Sequence, residues 1–244
     1  MPHRKDLSAV IARPIAHRGY HDMNRTIWEN SPSAFARAIE HGFAIECDLQ
    51  LATDGVPVVF HDDDLQRVCG LPGDVRDRTS WELGQLAIGG TADRIITLPG
   101  LLAQVAGKVP LVIELKGRKD NDDGFAEAVV DCLSGYKGAV ALMSFDHWLL
   151  RDLKRAGATR PLGLTAEGVK PERFFLHEEA MHLGLDFISY CVQHLPNPFI
   201  AAQRANGVPV ITWTVRNAEA VQRTRDCADQ MTFEGFDPDQ SLTA

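Results

Sequence analysis

The stretch FAIECDLQLATDGVPVVFHD, Phe43 to Asp62, decides how this chain is folded. Two apolar runs of strand length, Ala44 to Leu49 and Val56 to His61, are separated only by Gln50 to Gly55. That gap is too short for a crossover helix, and Asp54-Gly55 at its centre carries the turn chemistry of a hairpin. The two runs are therefore expected to pair antiparallel. With Asp54 and Gly55 as the central turn residues, Thr53 faces Val56 and, counting outward, Asp48 faces His61.

Working outward, further strand patterns cover Pro14–His17, Leu111–Lys116, Ala139–Phe145, Pro161–Thr165, Asp186–Tyr190, Val208–Val215 and Gln230–Glu234. Helical patterns separate most of them. The clearest is SPSAFARAIEHG: Ser31 can cap, Pro32 suits the first helical position, Gly42 can close the last turn, and Phe35, Ala38 and Ile39 face the sheet. Nine runs with one hairpin folded back leave eight strands joined by crossovers. That is the count of a (β/α)8 TIM barrel, and 244 residues is close to the ~250 usual for one. An open doubly wound sheet is the runner-up. Cys69 to Leu98, with Gly70, Pro72, Gly73, Gly89 and Gly90, fits neither pattern and reads as an excursion on the top face. Nothing resembles a linker, so residues 1–244 are expected to form one barrel domain.

Composition narrows the function. Five scattered cysteines, odd in number and never in a C-x-x-C pair, suggest neither a disulfide framework nor a zinc site. A formal charge of -8 without a basic cluster argues against nucleic acid, and no stable membrane association is expected. The segment MPHRKDLSAV lacks the apolar centre of a signal peptide, which points to the cytoplasm. An anionic ligand would need positive charge gathered locally.

Residues two apart on a strand share a face, so Glu46 and Asp48 point the same way. The spacing recurs in LVIELKG with Glu114 and Lys116, and PIAHRG ends in His17 and Arg18. All sit at carboxyl ends of strands, where a (β/α) barrel assembles its active site. Three carboxylates, Glu46, Asp48 and Glu114, make a hard oxygen site suited to Mg2+ or Ca2+. His17 and His61 beside it suit general acid and base work, and Arg18 and Lys116 supply the local positive charge. Taken singly, each feature has a plainer explanation: a solvated strand edge, a surface histidine, a simple Glu114–Lys116 ion pair. Together they do not, because several polar groups ending apolar strands each cost stability if buried without a partner.

These residues resemble the glycerophosphodiester phosphodiesterase family, whose barrel is like that of phosphatidylinositol-specific phospholipase C. The resemblance rests on AHRG at Ala16–Gly19, ENSPSAF at Glu29–Phe35, GFAIECDLQLATDGVPVVFHD at Gly42–Asp62, IELKG at Ile113–Gly117, Ser144-Phe145 and TWTV at Thr212–Val215. It implies hydrolysis of a small-molecule glycerophosphodiester to sn-glycerol 3-phosphate and an alcohol. It also implies His17 and His61 as the acid-base pair and Glu46, Asp48 and Glu114 as ligands of one divalent cation. Arg18 and Lys116 would hold the phosphate, Glu29 would sit near the glycerol end, and Trp213 would wall the pocket. Two departures stand out: Trp28 replaces the family's usual proline before Glu29-Asn30, after a long loop HDMNRTIWE, and the last strand reads MTFEGFDP instead of ending Thr-Asp-x-Pro. Glu234 either replaces that aspartate or merely caps the strand, and the cap is the safer reading. Two other functions fit the same scaffold. A phospholipase D-like enzyme on lysophospholipids or sphingolipids would need an apolar entrance, for which Trp28 and the excursion are candidates. A catalytically silent phosphate-binding barrel would have no use for paired proton-transfer groups.

Overall fold

The computed structural model describes residues 4–118 and 124–241. Nine strands form one sheet: β1 (Ile15–Ala16), β2 (Ala44–Leu51), β3 (Pro57–Val59), β4 (Leu111–Leu115), β5 (Val140–Ser144), β6 (Leu162–Ala166), β7 (Phe187–Cys191), β8 (Val210–Val215) and β9 (Gln230–Phe233). Eight of them run parallel in the order β1-β2-β4-β5-β6-β7-β8-β9, and β9 pairs back onto β1 to close the (β/α)8 barrel. β3 pairs with β2, antiparallel, as the expected hairpin extension.

The hairpin register differs from the expected one by a residue. Leu49 pairs with Val59, Gln50 with Val58 and Leu51 with Pro57. Asp48 therefore stands opposite Phe60, whose N–H donates to the Asp48 carbonyl at 3.0 Å, and not opposite His61. The turn is the cause: Ala52 N–H donates to the Val56 carbonyl at 3.0 Å, leaving three residues, Thr53-Asp54-Gly55, in the loop. Gly55 takes φ +76°, the left-handed position that three-residue hairpin loops require. His61 still reaches the barrel mouth because β3 ends at Val59, which frees the chain from strict alternation. Gln50 then steers it back, its side-chain amide donating to the carbonyls of His61 and Asp62.

The helices are α1 (Ser8–Ile11), α2 (Pro32–Glu40), α3 (Gln66–Cys69), α4 (Ser80–Leu83), α5 (Leu98–Val105), α6 (Phe125–Leu133), α7 (His147–Arg155), α8 (Pro171–Met181), α9 (Pro198–Ala205), α10 (Ala218–Cys227) and α11 (Pro238–Ser241). α2 forms as its sequence implies: the Ser31 hydroxyl accepts from Ala34 N–H at 3.1 Å, Pro32 opens the helix, and Phe35 and Ala38 are buried. The excursion carries α3, α4 and a 3-10 turn at Val75–Asp77 around its own small core of Phe60, Leu65, Val75, Leu83 and Ile88.

Strand alternation produces two apolar layers. Ile45, Cys47, Leu49, Ile113 and Leu115 face outward against the helices. Ala44, Val112, Ala141, Phe187 and Ile211 face inward, with Leu7 and Val10 from α1 packed against them. Residues of the same inward set further along the strands, Glu46, Asp48 and Glu114, must be polar because they form the mouth.

The inner layer is tight at one place. A Cβ on Gly163 of β6 would lie 2.3 Å from the ring of Phe187, which is fully buried on the neighbouring strand. Gly163→Ala is expected to destabilise by ~1–3 kcal/mol, the usual range for overpacking a filled core. In urea unfolding, Gly163→Ala/Phe187→Leu should then be less destabilised than the two single changes added together; simple additivity would show that the contact does not limit packing.

Candidate active site

β2 and β4 place three acids on one rim. Asp48 and Glu114 are direct register partners, and Glu46 lies two residues before Asp48 on the same inward face. One oxygen from each carboxylate lies within 4.8 Å of the others, and all three side chains are buried. Burial, with Asp48 and Glu114 beside it, pushes the Glu46 carboxyl well above its ordinary range. Burial also raises Glu114, although Lys116 opposes the rise. Asp48 goes the other way: burial alone would raise it, but Lys116, Arg18, His61 and His17 outweigh that and hold it low.

Two cations meet this cluster. Lys116 Nζ is 3.1 Å from Asp48 Oδ1 and also pairs with Glu114. Arg18 Nε is 3.3 Å from Asp48 Oδ2, while its backbone N–H donates to Glu46 Oε2 at 2.9 Å. That backbone contact depends on a left-handed pair, Arg18 at φ +53° and Gly19 at φ +82°. A Cβ on Gly19 would sit 2.8 Å from the Ala34 Cβ, so α2 presses directly on the turn that aims Arg18. Asn30, also left-handed at φ +51°, donates its amide to Asp48 Oδ2 at 2.9 Å.

Glu29 is not among the residues lining the cavity. It is 6% exposed and accepts from Arg18 Nη1 at 2.6 Å, Asn24 Nδ2 at 2.6 Å, and both Arg67 terminal nitrogens at 2.7 and 2.8 Å. Its oxygens are engaged in fixing the Arg18 guanidinium. Trp28 is turned away as well: a Cβ on Gly89 would lie 2.0 Å from its ring, which packs on the excursion's core and so offers no apolar entrance for an acyl chain.

The histidines flank the acids. His17 Nδ1 lies 2.5 Å from Glu234 Oε2, and its Nε2 is 4.0 Å from Glu46 Oε2. Glu234 is held far below the ordinary carboxylate range; burial resists this, and hydrogen bonds from His17, His21 and Arg216 overcome it. An ionised Glu234 accepts the Nδ1 proton, which leaves the Nε2 lone pair of neutral His17 for the cavity. Desolvation favours that neutral form, against the pull of Glu234. His61 Nδ1 is 2.7 Å from Asp62 Oδ1, and Asp62 is in turn held by Arg67 at 2.6 Å.

His17, Arg18, Glu46, Asp48, His61, Glu114, Lys116 and Trp213 all line one cavity of about 350 Å3 at the carboxyl ends of the strands. Sequence reasoning left Glu234 between a strand cap and a replacement for the family's aspartate, where the structure makes it a partner of His17, and it missed Asn30, Asp62, Arg67 and Arg216. Glu234 follows β9 directly, and β9 neighbours β1, so its position beside His17 was readable from the barrel closure. Arg67 lies in the excursion, and no spacing relates it to Glu29.

The donor set fits a hard divalent ion. Three carboxylates against Lys116 and Arg18 leave one formal negative charge in excess. A divalent ion would turn it into one positive charge, matched to a phosphodiester monoanion.

Comparisons agree with this geometry. Residues 17–232 match the model of the "Glycerophosphoryl diester phosphodiesterase family". The chain is 31% identical over 221 residues to a glycerophosphodiester phosphodiesterase of Caldanaerobacter subterraneus subsp. tengcongensis, covering 86% of this chain and 88% of that one. A glycerophosphodiester phosphodiesterase of Thermotoga maritima superposes with a TM-score of 0.73 at 27% identity, covering 91% of this chain and 94% of that one. An Oleispira antarctica phosphodiesterase, solved with its product sn-glycerol-3-phosphate, shares the fold with a TM-score of 0.83 at 21% identity and 95% coverage of each chain. Among the described residues no helix is long and apolar enough to cross a membrane.

The Glu29 contacts have a measurable signature. Its carboxyl is lowered from 4.5 to about 2; burial opposes the shift, and Arg67, Arg18 and Asn24 drive it. A carboxyl lowered by folding stabilises fully above pH 4.5 and loses that contribution as pH falls through about 2. The shift corresponds to about 3 kcal/mol. Urea unfolding between pH 5 and pH 2, on the order of the range where carboxylates titrate, should show a shallower loss of stability in Glu29→Gln than in the wild type. Identical slopes would contradict the assignment.

Proposed function

The chain belongs to the glycerophosphoryl diester phosphodiesterase family, and from that premise we propose that it hydrolyses glycerophosphodiesters to sn-glycerol 3-phosphate and an alcohol with a divalent cation and a His17/His61 acid-base pair. The observation that carries the proposal is the single cavity shared by both histidines, the three acids, Arg18 and Lys116.

In this reading Glu46, Asp48 and Glu114 hold one Mg2+ or Ca2+ ion. When bound, that ion supplies charge neutralisation at a phosphoryl oxygen and in the transition state. Lys116 and Arg18 hold the remaining phosphoryl oxygens, with Arg18 kept in place by Glu29 and Arg67. His17 takes the proton of the attacking oxygen at Nε2, either from water attacking phosphorus directly or from the glycerol's own vicinal hydroxyl, in which case the cyclic phosphate left behind is opened by a water in a second step. The imidazolium so formed is met by the ionised Glu234 at Nδ1. His61 gives a proton to the departing alcohol oxygen as the P–O bond breaks, with its ring held by Asp62 Oδ1 at 2.7 Å from Nδ1. Trp213 forms part of the wall, its indole N–H donating to the Ser189 carbonyl at 3.2 Å.

A graded series of variants tests these roles on glycerophosphocholine. His17→Ala and His61→Ala should each lose turnover by about 10²-fold or more, with the thermal transition retained. Glu234→Gln, which removes the negative charge that His17, His21 and Arg216 share, should lower kcat with little change in KM. Near-normal kcat in either alanine variant would overturn the acid-base assignment.

A further inference from the structure

A chain of hydrogen-bonded charged groups runs behind the cavity wall and enters the cavity only at its two ends. His61 Nδ1 lies 2.7 Å from Asp62 Oδ1, and the Asp62 carboxylate accepts from Arg67 Nε at 2.6 Å and from Arg67 Nη2 at 2.9 Å. The same Nη2 donates to Glu29 Oε1 at 2.7 Å, Arg67 Nη1 donates to Glu29 Oε2 at 2.8 Å, and Glu29 Oε1 also accepts from Arg18 Nη1 at 2.6 Å. His61 and Arg18 line the cavity; Asp62, Arg67 and Glu29 do not. Arg67 joins the two halves, and without it two carboxylates of like charge would face the space that its guanidinium fills.

An exposed ion pair is usually worth little, and the Arg67 side chain is 44% exposed. Its geometry sets it apart: each carboxylate takes two N–H groups of one planar guanidinium, which fixes direction as well as charge. Direction matters at both ends. His61 follows β3, which stops at Val59, so no strand orients its ring and Asp62 holds it instead. Arg67 is itself anchored by the excursion, since it lies in α3, whose Val68 is buried in the excursion's own core and whose last turn closes on the left-handed Gly70 at φ +68°.

Resting on the phosphodiesterase reading with His61 as proton donor, we propose that Arg67 is a positioning residue that couples proton donation to the grip on phosphate. Through Asp62 it aims His61 at the departing alcohol oxygen, and through Glu29 it aims Arg18 at the phosphoryl oxygens. One side chain of the excursion thereby governs two groups that act on the same breaking P–O bond.

The test compares glycerophosphocholine with the 4-nitrophenyl diester of sn-glycerol 3-phosphate, whose phenolate departs without needing a proton. Arg67→Ala should lower kcat for glycerophosphocholine by about tenfold and leave kcat for the nitrophenyl diester within about twofold of the wild type. KM should rise by about tenfold for both, because Arg18 is loosened. Asp62→Asn should reproduce the kcat difference without the rise in KM, and in that background Arg67→Ala should raise KM with no further fall in kcat. Arg67→Lys keeps the charge but replaces the fork with one ammonium group, so it should retain at least one of the two defects. Equal loss of kcat on the two diesters in Arg67→Ala, or wild-type kinetics in Arg67→Lys, overturns the coupling; the phosphodiesterase reading stands if His61→Ala still separates the diesters. A His61→Ala variant that loses both diesters equally overturns the donor assignment and the coupling with it. A wild type that cleaves neither diester overturns the whole reading.

Discussion

Three carboxyl groups held within 4.8 Å of one another and almost out of water are the constraint around which the mouth of this barrel is organised. At an effective dielectric of about 20, two unit charges ~4 Å apart repel by about 4 kcal/mol. That is a large share of the ~5–15 kcal/mol that keeps a domain folded. The strands cannot relieve it, since Asp48 and Glu114 are fixed as register partners in a closed sheet. Compensation falls to the groups facing them: Lys116, Arg18 with its own backbone N–H, and the Asn30 amide. In the proposed reading a divalent cation completes it.

A second ring of residues fixes the first. Arg18 is aimed by the left-handed turn at Arg18-Gly19, which α2 presses upon through Ala34. Glu29 then locks its guanidinium, and Arg67 of the excursion closes over Glu29. The excursion also sends Arg76 to the carbonyl of Lys116 at 2.6 Å and to Gln50, the residue that bends the hairpin toward the mouth. An insertion that looks irregular in sequence thus positions two of the site's cations and one of its histidines. The long loops at the top face act as machinery carried by the rigid strands.

Much of this was legible in the chain. Glu46, Asp48 and Glu114 stood out because an acid on an otherwise apolar strand is costly, and period-two alternation puts Glu46 and Asp48 on one face. The hairpin followed from a gap too short for a helix. Its register did not, because Asp54-Gly55 serves two loop lengths equally well, and only the Ala52–Val56 hydrogen bond distinguishes them. Glu234 was undervalued because its partner, His17, is 217 residues away and joins it only when β9 closes on β1. Arg67 and Asn30 were invisible for a related reason: their partners are set by loop conformations, including positive φ at Asn30, that no periodicity encodes. Glu29, placed near the glycerol end by resemblance, lies outside the cavity lining and accepts four hydrogen bonds, one of them from Arg18.

The account depends on the three acids acting together on one ion. Calorimetric titration of Mg2+, Ca2+ and Mn2+ into the wild-type protein and into Asp48→Asn tests this most directly. The account predicts one ion per chain for the wild type and binding at least 10-fold weaker when one ligand is neutralised. Equal affinity in the two proteins would contradict it.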